Sequence, residues 1–110
     1  KMTFEEHFKS LIADLNNRFP QLVKKYNLCV THSGGGCFHV DYVLNNKLSV
    51  SINPFNEDVE YDVPKDKNTK CIFGIYNEEG EQNETFISPF ENGLKQLEKM
   101  KGERLKWKIV

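Results

Sequence analysis

The stretch Leu28-Cys29-Val30-Thr31-His32-Ser33-Gly34-Gly35-Gly36-Cys37-Phe38-His39-Val40-Asp41-Tyr42-Val43-Leu44 decides the fold. Leu28, Val30 and His32 alternate with Cys29, Thr31 and Ser33, and beyond the glycines Phe38, Val40, Tyr42 and Leu44 alternate with Cys37, His39, Asp41 and Val43. Side chains on a strand point to opposite faces in turn, so this period of two predicts a pair of strands joined by a glycine bend. With residues 34–36 as a three-residue loop, Ser33 stands opposite Cys37 and the even-numbered apolar residues of both strands share one face. The hairpin then has an oily side and a polar side.

The pattern extends beyond the hairpin. Leu48, Val50 and Ile52 mark a third strand. A two-residue turn at Asn45-Asn46 would send its apolar set to the wrong face, whereas a loop over residues 45–47 pairs Leu44 with Leu48 and Tyr42 with Val50. Residues 54–69 hold Pro54, Asn56, Pro64 and Asn68 among charged side chains and read as a surface connection with a short strand near 59–63. Residues 70–76 are apolar at both parities, as in an interior or strongly curved strand. A turn around Gly80 follows, and 84–87 pair briefly.

Helices flank the strands. Thr3 and Glu6 form a capping box ahead of Phe4, Phe8, Leu11, Ile12, Leu15 and Phe19 at helical spacing, and Pro20 opens a second short piece with Leu22, Val23 and Tyr26. Toward the other end, Ser88-Pro89-Phe90-Glu91 combines a cap, a first-turn proline and a closing glutamate, with Phe90, Leu94, Leu97 and Met100 as the buried stripe. Gly102 is the expected stop. Leu105, Trp107 and Ile109, alternating with Arg104, Lys106 and Lys108, then predict a closing strand. The expected architecture is one α+β domain over residues 1–110, an antiparallel meander with an N-terminal and a C-terminal helix packed on one face.

A length of 110 residues with 38% hydrophobic and 12% aromatic content suits a single ordered core and excludes a disordered chain. No apolar run reaches the ~20 residues that span a bilayer, and no secretory apolar region follows the start. The expectation is therefore a cytoplasmic protein of the host-cell cytosol, with no membrane contact, whose three cysteines stay as thiols. Lys1 reads as an addition ahead of a start at Met2.

Formal charge is sorted along the chain: residues 1–56 sum to +2, residues 57–91 to −7 and residues 95–110 to +4. Such blocks steer encounters with partners more than they shape a fold. The acidic block supplies Glu57, Asp58, Glu60 and Asp62, then Glu78, Glu79, Glu81 and Glu84, as loop carboxylates able to occupy a groove built for phosphates. They are the expected protein-binding surface. The basic block, Lys95, Lys99, Lys101, Arg104, Lys106 and Lys108, offers the alternative of a stripe that meets DNA or RNA phosphates directly. For both blocks, ordinary solvated charge is the plain competing account.

Metal and enzyme readings are weaker. Cys29, His32, Cys37 and His39 have a zinc-knuckle look, but the hairpin register sets Cys29 opposite Asp41 and ~13 Å from Cys37, too far for one tetrahedral ion or a disulfide. Cys37, His39 and Asp41 alternate on one strand, which invites a nucleophile, base and orienter reading centred on Cys37. Neighbours at i and i+2 stand ~7 Å apart, beyond the hydrogen bond that activates a thiol, so a cross-strand contact between Thr31 and His39 is expected instead. The glycine triplet lacks the Lys-Ser/Thr and the helix of a phosphate loop. No catalytic residue, metal ligand or cofactor is assigned.

Phe86-Ile87-Ser88-Pro89-Phe90-Glu91-Asn92-Gly93-Leu94-Lys95-Gln96 resembles a stretch of the small type II-A anti-CRISPR proteins of prophages, inhibitors of Cas9 that also run helix, three-stranded meander, helix. The resemblance implies a non-enzymatic inhibitor of phage or mobile-element type. Its acidic residues would occupy the site where the effector reads a short DNA motif, a site built around paired arginines. The implied partner is a Cas effector or another nucleic-acid-handling complex. The chain departs from that family in being longer and nearly neutral, with a basic tail.

Overall fold

The chain runs α1 (Phe4–Arg18), α2 (Pro20–Tyr26), β1 (Cys29–Gly34), β2 (Cys37–Asn45), β3 (Leu48–Pro54), β4 (Lys70–Tyr76), β5 (Gln82–Pro89) and α3 (Phe90–Ile109). The structure, a computed structural model, describes residues 2–34, 37–55 and 63–109, the side chains of 33–34 and 102–109 excepted. Five strands lie in chain order, antiparallel at every step, so the sheet is an uninterrupted meander. This is the α+β architecture that the alternation predicts.

The register follows the hydrophobic pattern. Cys29 pairs with Asp41, Thr31 with His39, His32 with Phe38 and Tyr42 with Val50. Both hairpins deviate at their tips, where Gly34 rather than Ser33 meets Cys37, and Asn45 rather than Leu44 meets Leu48. At the second tip the cause is visible: Asn45 Oδ1 accepts from the backbone N–H of Lys47 at 2.8 Å and of Leu48 at 3.0 Å. This side-chain turn closes the connection over two residues and leaves Leu44 as the extra residue of a bulge, still fully buried.

Thr3 caps α1, its Oγ1 accepting the Glu6 N–H at 3.1 Å. Asn27 ends α2 at φ 53°, the left-handed conformation that asparagine tolerates, with its N–H on the Val23 carbonyl. The helices contribute Leu11, Leu15, Phe19, Leu22 and Tyr26, together with Phe90, Leu94 and Leu97, to one core with even-numbered apolar residues of β1 to β3, from Val30 to Ile52, and with Phe73 and Ile75 of β4. Burying each large side chain contributes about 1.5–3 kcal/mol, so this face holds the fold together. Gly93 marks the closest approach, since a Cβ there would lie 2.1 Å from Phe73 Cζ.

Two expectations at the C-terminal helix are corrected. Ser88 does not cap it: β5 continues to Pro89, and the Ser88 hydroxyl donates to the Pro89 carbonyl at 3.1 Å. The first helical N–H groups, of Phe90 and Glu91, instead donate to the carbonyls of Thr69 at 2.9 Å and Lys67 at 3.1 Å, in the loop before β4. The strand expected over 105–109 is also absent, because α3 runs through Gly102 to Ile109. A glycine inside a helix costs only about 1 kcal/mol, and the Lys, Arg, Glu and Leu around it are strong helix formers. The short strand expected near 59–63 falls mostly outside the described residues; Val63 is a buried core residue at a bend.

Candidate functional site

The acidic turn between β4 and β5 is built on Asn77. Its Oδ1 accepts from the N–H of Glu79 at 3.0 Å and of Glu81 at 2.9 Å, while its own N–H donates to the Glu81 carbonyl at 3.0 Å. Gly80 supplies the positive φ of 79° that closes the turn. Glu78, Glu79 and Glu81 are thereby held outside the sheet on a backbone fixed by its own hydrogen bonds, and Glu84 follows on β5 opposite Ile75. Tyr76 and Gln82 brace the base of the hairpin through a 3.3 Å contact.

Glu57, Asp58, Glu60 and Asp62 lie outside the described residues. The flanking chain shows where that segment attaches: Phe55 donates its N–H to the Lys70 carbonyl at 2.7 Å, and Val63 is sunk in the core. The Phe55 anchor stands beside the first residue of β4, whereas the Asn77 turn follows its last. The seven residues of β4 put about 20 Å between those two points.

The basic block takes a different form from the one expected. Lys95 is exposed and lies 3.9 Å from Glu91, Lys99 is exposed, and Lys101 is half-buried. Alternation that lines up a basic edge on a strand does not do so at ~100° per residue on a helix, so the expected stripe through Arg104, Lys106 and Lys108 is not formed as a strand edge. The side chains of those three residues lie outside the described set.

On the odd-numbered face of the sheet, Thr31 Oγ1 and His39 Nε2 share a hydrogen bond of 2.6 Å, the cross-strand contact that the register predicts. Asp41 approaches the same nitrogen at 4.0 Å. A catalytic relay needs its base to engage two partners through two different ring nitrogens, and here both meet Nε2. Burial holds the His39 imidazole below its usual pKa and pushes Asp41 above the ordinary carboxylate value, each partly opposed by the other. Cys29 lies opposite Asp41, and burial followed by that carboxylate pushes its thiol up. A raised pKa disfavours the nucleophilic thiolate.

His32 packs edge-on against Phe4 at 4.8 Å on the covered side, so its ring is turned away from Cys29. Among the described residues, no group of three or more His, Cys, Asp or Glu side chains is placed to hold a metal ion. A hollow lined by Arg18, Phe19, Pro20, Gln21, Leu22 and Lys67 has its cations engaged: Arg18 with Asp14 at 3.6 Å, and Lys67 with Glu91 at 3.7 Å. No helix among the described residues is long and apolar enough to cross a membrane.

Sequence reasoning put Val43 on the open face but missed the rest of its apolar content, Ile72, Tyr76 and Ile87. Val43, Ile72, Tyr76 and Ile87 all fall on it through the pairings Val43–Ser49, Ser49–Tyr76 and Ile72–Ile87. The signal was present in β4, whose second apolar parity belongs to this face and not only to an interior position. No family model, curated protein or solved structure matches the chain.

Proposed function

We propose that the protein is a small non-enzymatic binding protein of phage or mobile-element type, which blocks the nucleic-acid groove of another protein with the carboxylates of the β4–β5 hairpin. The observation that carries this reading is the Asn77 turn, which presents Glu78, Glu79 and Glu81 on a backbone ordered before any partner arrives. A preordered loop loses less entropy on binding, and carboxylates at fixed spacing suit a groove of arginines evolved for phosphates. The resemblance of residues 86–96 to the anti-CRISPR inhibitors makes a type II-A Cas effector the first partner to try.

The test is a competition assay. Labelled duplex DNA bound to the guide-loaded effector is titrated with the full chain, which is expected to displace it. Replacing Glu78, Glu79, Glu81 and Glu84 with lysine should weaken displacement at least tenfold, or about 1.4 kcal/mol, with thermal unfolding little changed. DNA binding that survives excess protein would reject the effector as target. Equal displacement by the charge-reversed chain would reject the hairpin.

A further inference from the structure

We infer that the open face of the sheet is the docking surface for a second copy of this chain, the two sheets stacking face to face as a homodimer. The first support is charge. In a chain that is 28% Asp, Glu, Lys and Arg, the described residues place one such side chain on this face, Asp41, until Lys70 at its end. Charge depletion marks the centre of protein interfaces, whereas a sheet face kept in water is ordinarily polar and charged.

The second support is that the polar groups of the face bond one another. Thr31 pairs with His39 at 2.6 Å, Asn53 Nδ2 donates to the Phe38 carbonyl at 2.9 Å, and Gln82 Nε2 donates to Thr85 Oγ1 at 2.7 Å. Covering such groups strands few donors, which removes much of the penalty that opposes burial of a polar surface. The Tyr76 ring also lies over Gly74, 3.0 Å from where a Cβ would stand, and levels the middle of β4.

Area is the third. Five strands at ~4.8 Å and about seven residues at ~3.3 Å give a plane of roughly 24 by 20 Å, or about 600–800 Å² of accessible surface once relief is included. Two such faces bury about 1,200–1,600 Å², the size of a specific, stable interface. Val43 and Ile87, 60% and 49% exposed, supply apolar contact on it. A partner of either charge finds little to grip on a surface with no excess of sign. A second copy offers the same level, internally bonded plane, and stacked antiparallel sheets pack ~10 Å apart at about 30°.

Light scattering and sedimentation of the full chain, in reductant and from about 10 µM to 1 mM, test this. The expected mass is twice the 12.8 kDa of one chain, with dissociation on dilution. Val43→Glu and Ile87→Lys, both at exposed sites, should each raise the dimer dissociation constant at least tenfold while circular dichroism stays native. A wild-type chain that is monomeric throughout overturns the inference, including one that uses this face for a different protein. So does a dimer insensitive to both substitutions. Lysine at the hairpin glutamates should leave the mass unchanged, so this result and the competition assay fail independently.

Discussion

Gly93→Ala probes how α3 seats on the sheet. The added Cβ would stand 2.1, 2.3 and 2.8 Å from Phe73 Cζ, Cε1 and Cε2, where carbon atoms normally rest about 3.5–4.0 Å apart. Cζ lies on the axis of the ring's own rotation, so spinning the ring does not withdraw it. Tilting it is opposed by the stack on Phe86, 4.8 Å away and within 2° of parallel. Phe73 has no exposed surface into which to retreat. Overpacking costs about 1–3 kcal/mol, and this overlap belongs at the upper end; the gain from alanine's better helix propensity is about 1 kcal/mol. The net is a loss of about 2 kcal/mol, or roughly 8 °C in Tm for a domain of this length. Urea and thermal unfolding followed by circular dichroism measure it, with exposed Asn92→Ala as a helix control. Adding Phe73→Leu, which removes Cζ, should make the cost of Gly93→Ala smaller than in the wild-type background. A Gly93→Ala chain as stable as wild type would refute the close approach.

Asn77→Ala removes the acceptor of two backbone N–H groups and should cost about 1–2 kcal/mol, with faster amide exchange at Glu79 and Glu81; unchanged protection there would count against the braced turn. Burial, then the 2.9 Å hydrogen bond to Glu98, pushes the Tyr26 hydroxyl up to about 12, and burial raises Tyr42 as well, so ultraviolet titration should find late tyrosines of which Tyr26→Phe removes one. Because the unfolded phenol loses its proton first, stability should fall as pH rises from about 10 to 12, less steeply in that variant. His39 has the opposite sign. Held below its usual value by burial, it binds its proton later than the unfolded chain does, so its contribution is lost as pH drops through about 6.5, and His39→Gln should flatten that part of the curve. Cys71, fully buried with its thiol pushed up to about 12, should resist alkylation under native conditions dilute enough to dissociate the dimer, which modify exposed Cys29 and Cys37.

The strands from Cys29 to Ile52 were legible because a one-residue slip would move every apolar side chain to the wrong face, and that penalty is written in the alternation itself. The contact between Thr31 and His39 followed from the same arithmetic. The cap of α3 was not legible, since its acceptors on Lys67 and Thr69 come from across the β4–β5 hairpin and outcompete the serine next door. Nor was the fate of Leu105, Trp107 and Ile109, where period two and helix-forming composition compete within a few residues. At the candidate site, the acidic residues were named from composition, but the separation of their two anchors needed the direction of β4. The apolar part of the open face needed the partners of Ile72 and Tyr76 on β5 and β3.

A sheet in which each strand pairs only with its chain neighbours can zip up in the order of synthesis, one hairpin at a time. Its oily underside, however, stays uncovered on the side of Phe73 and Ile75 until Phe90, Leu94 and Leu97 emerge from the ribosome. A nascent chain paused before α3 therefore holds a finished platform with a bare floor, the kind of surface that chaperones bind and that aggregates when they do not.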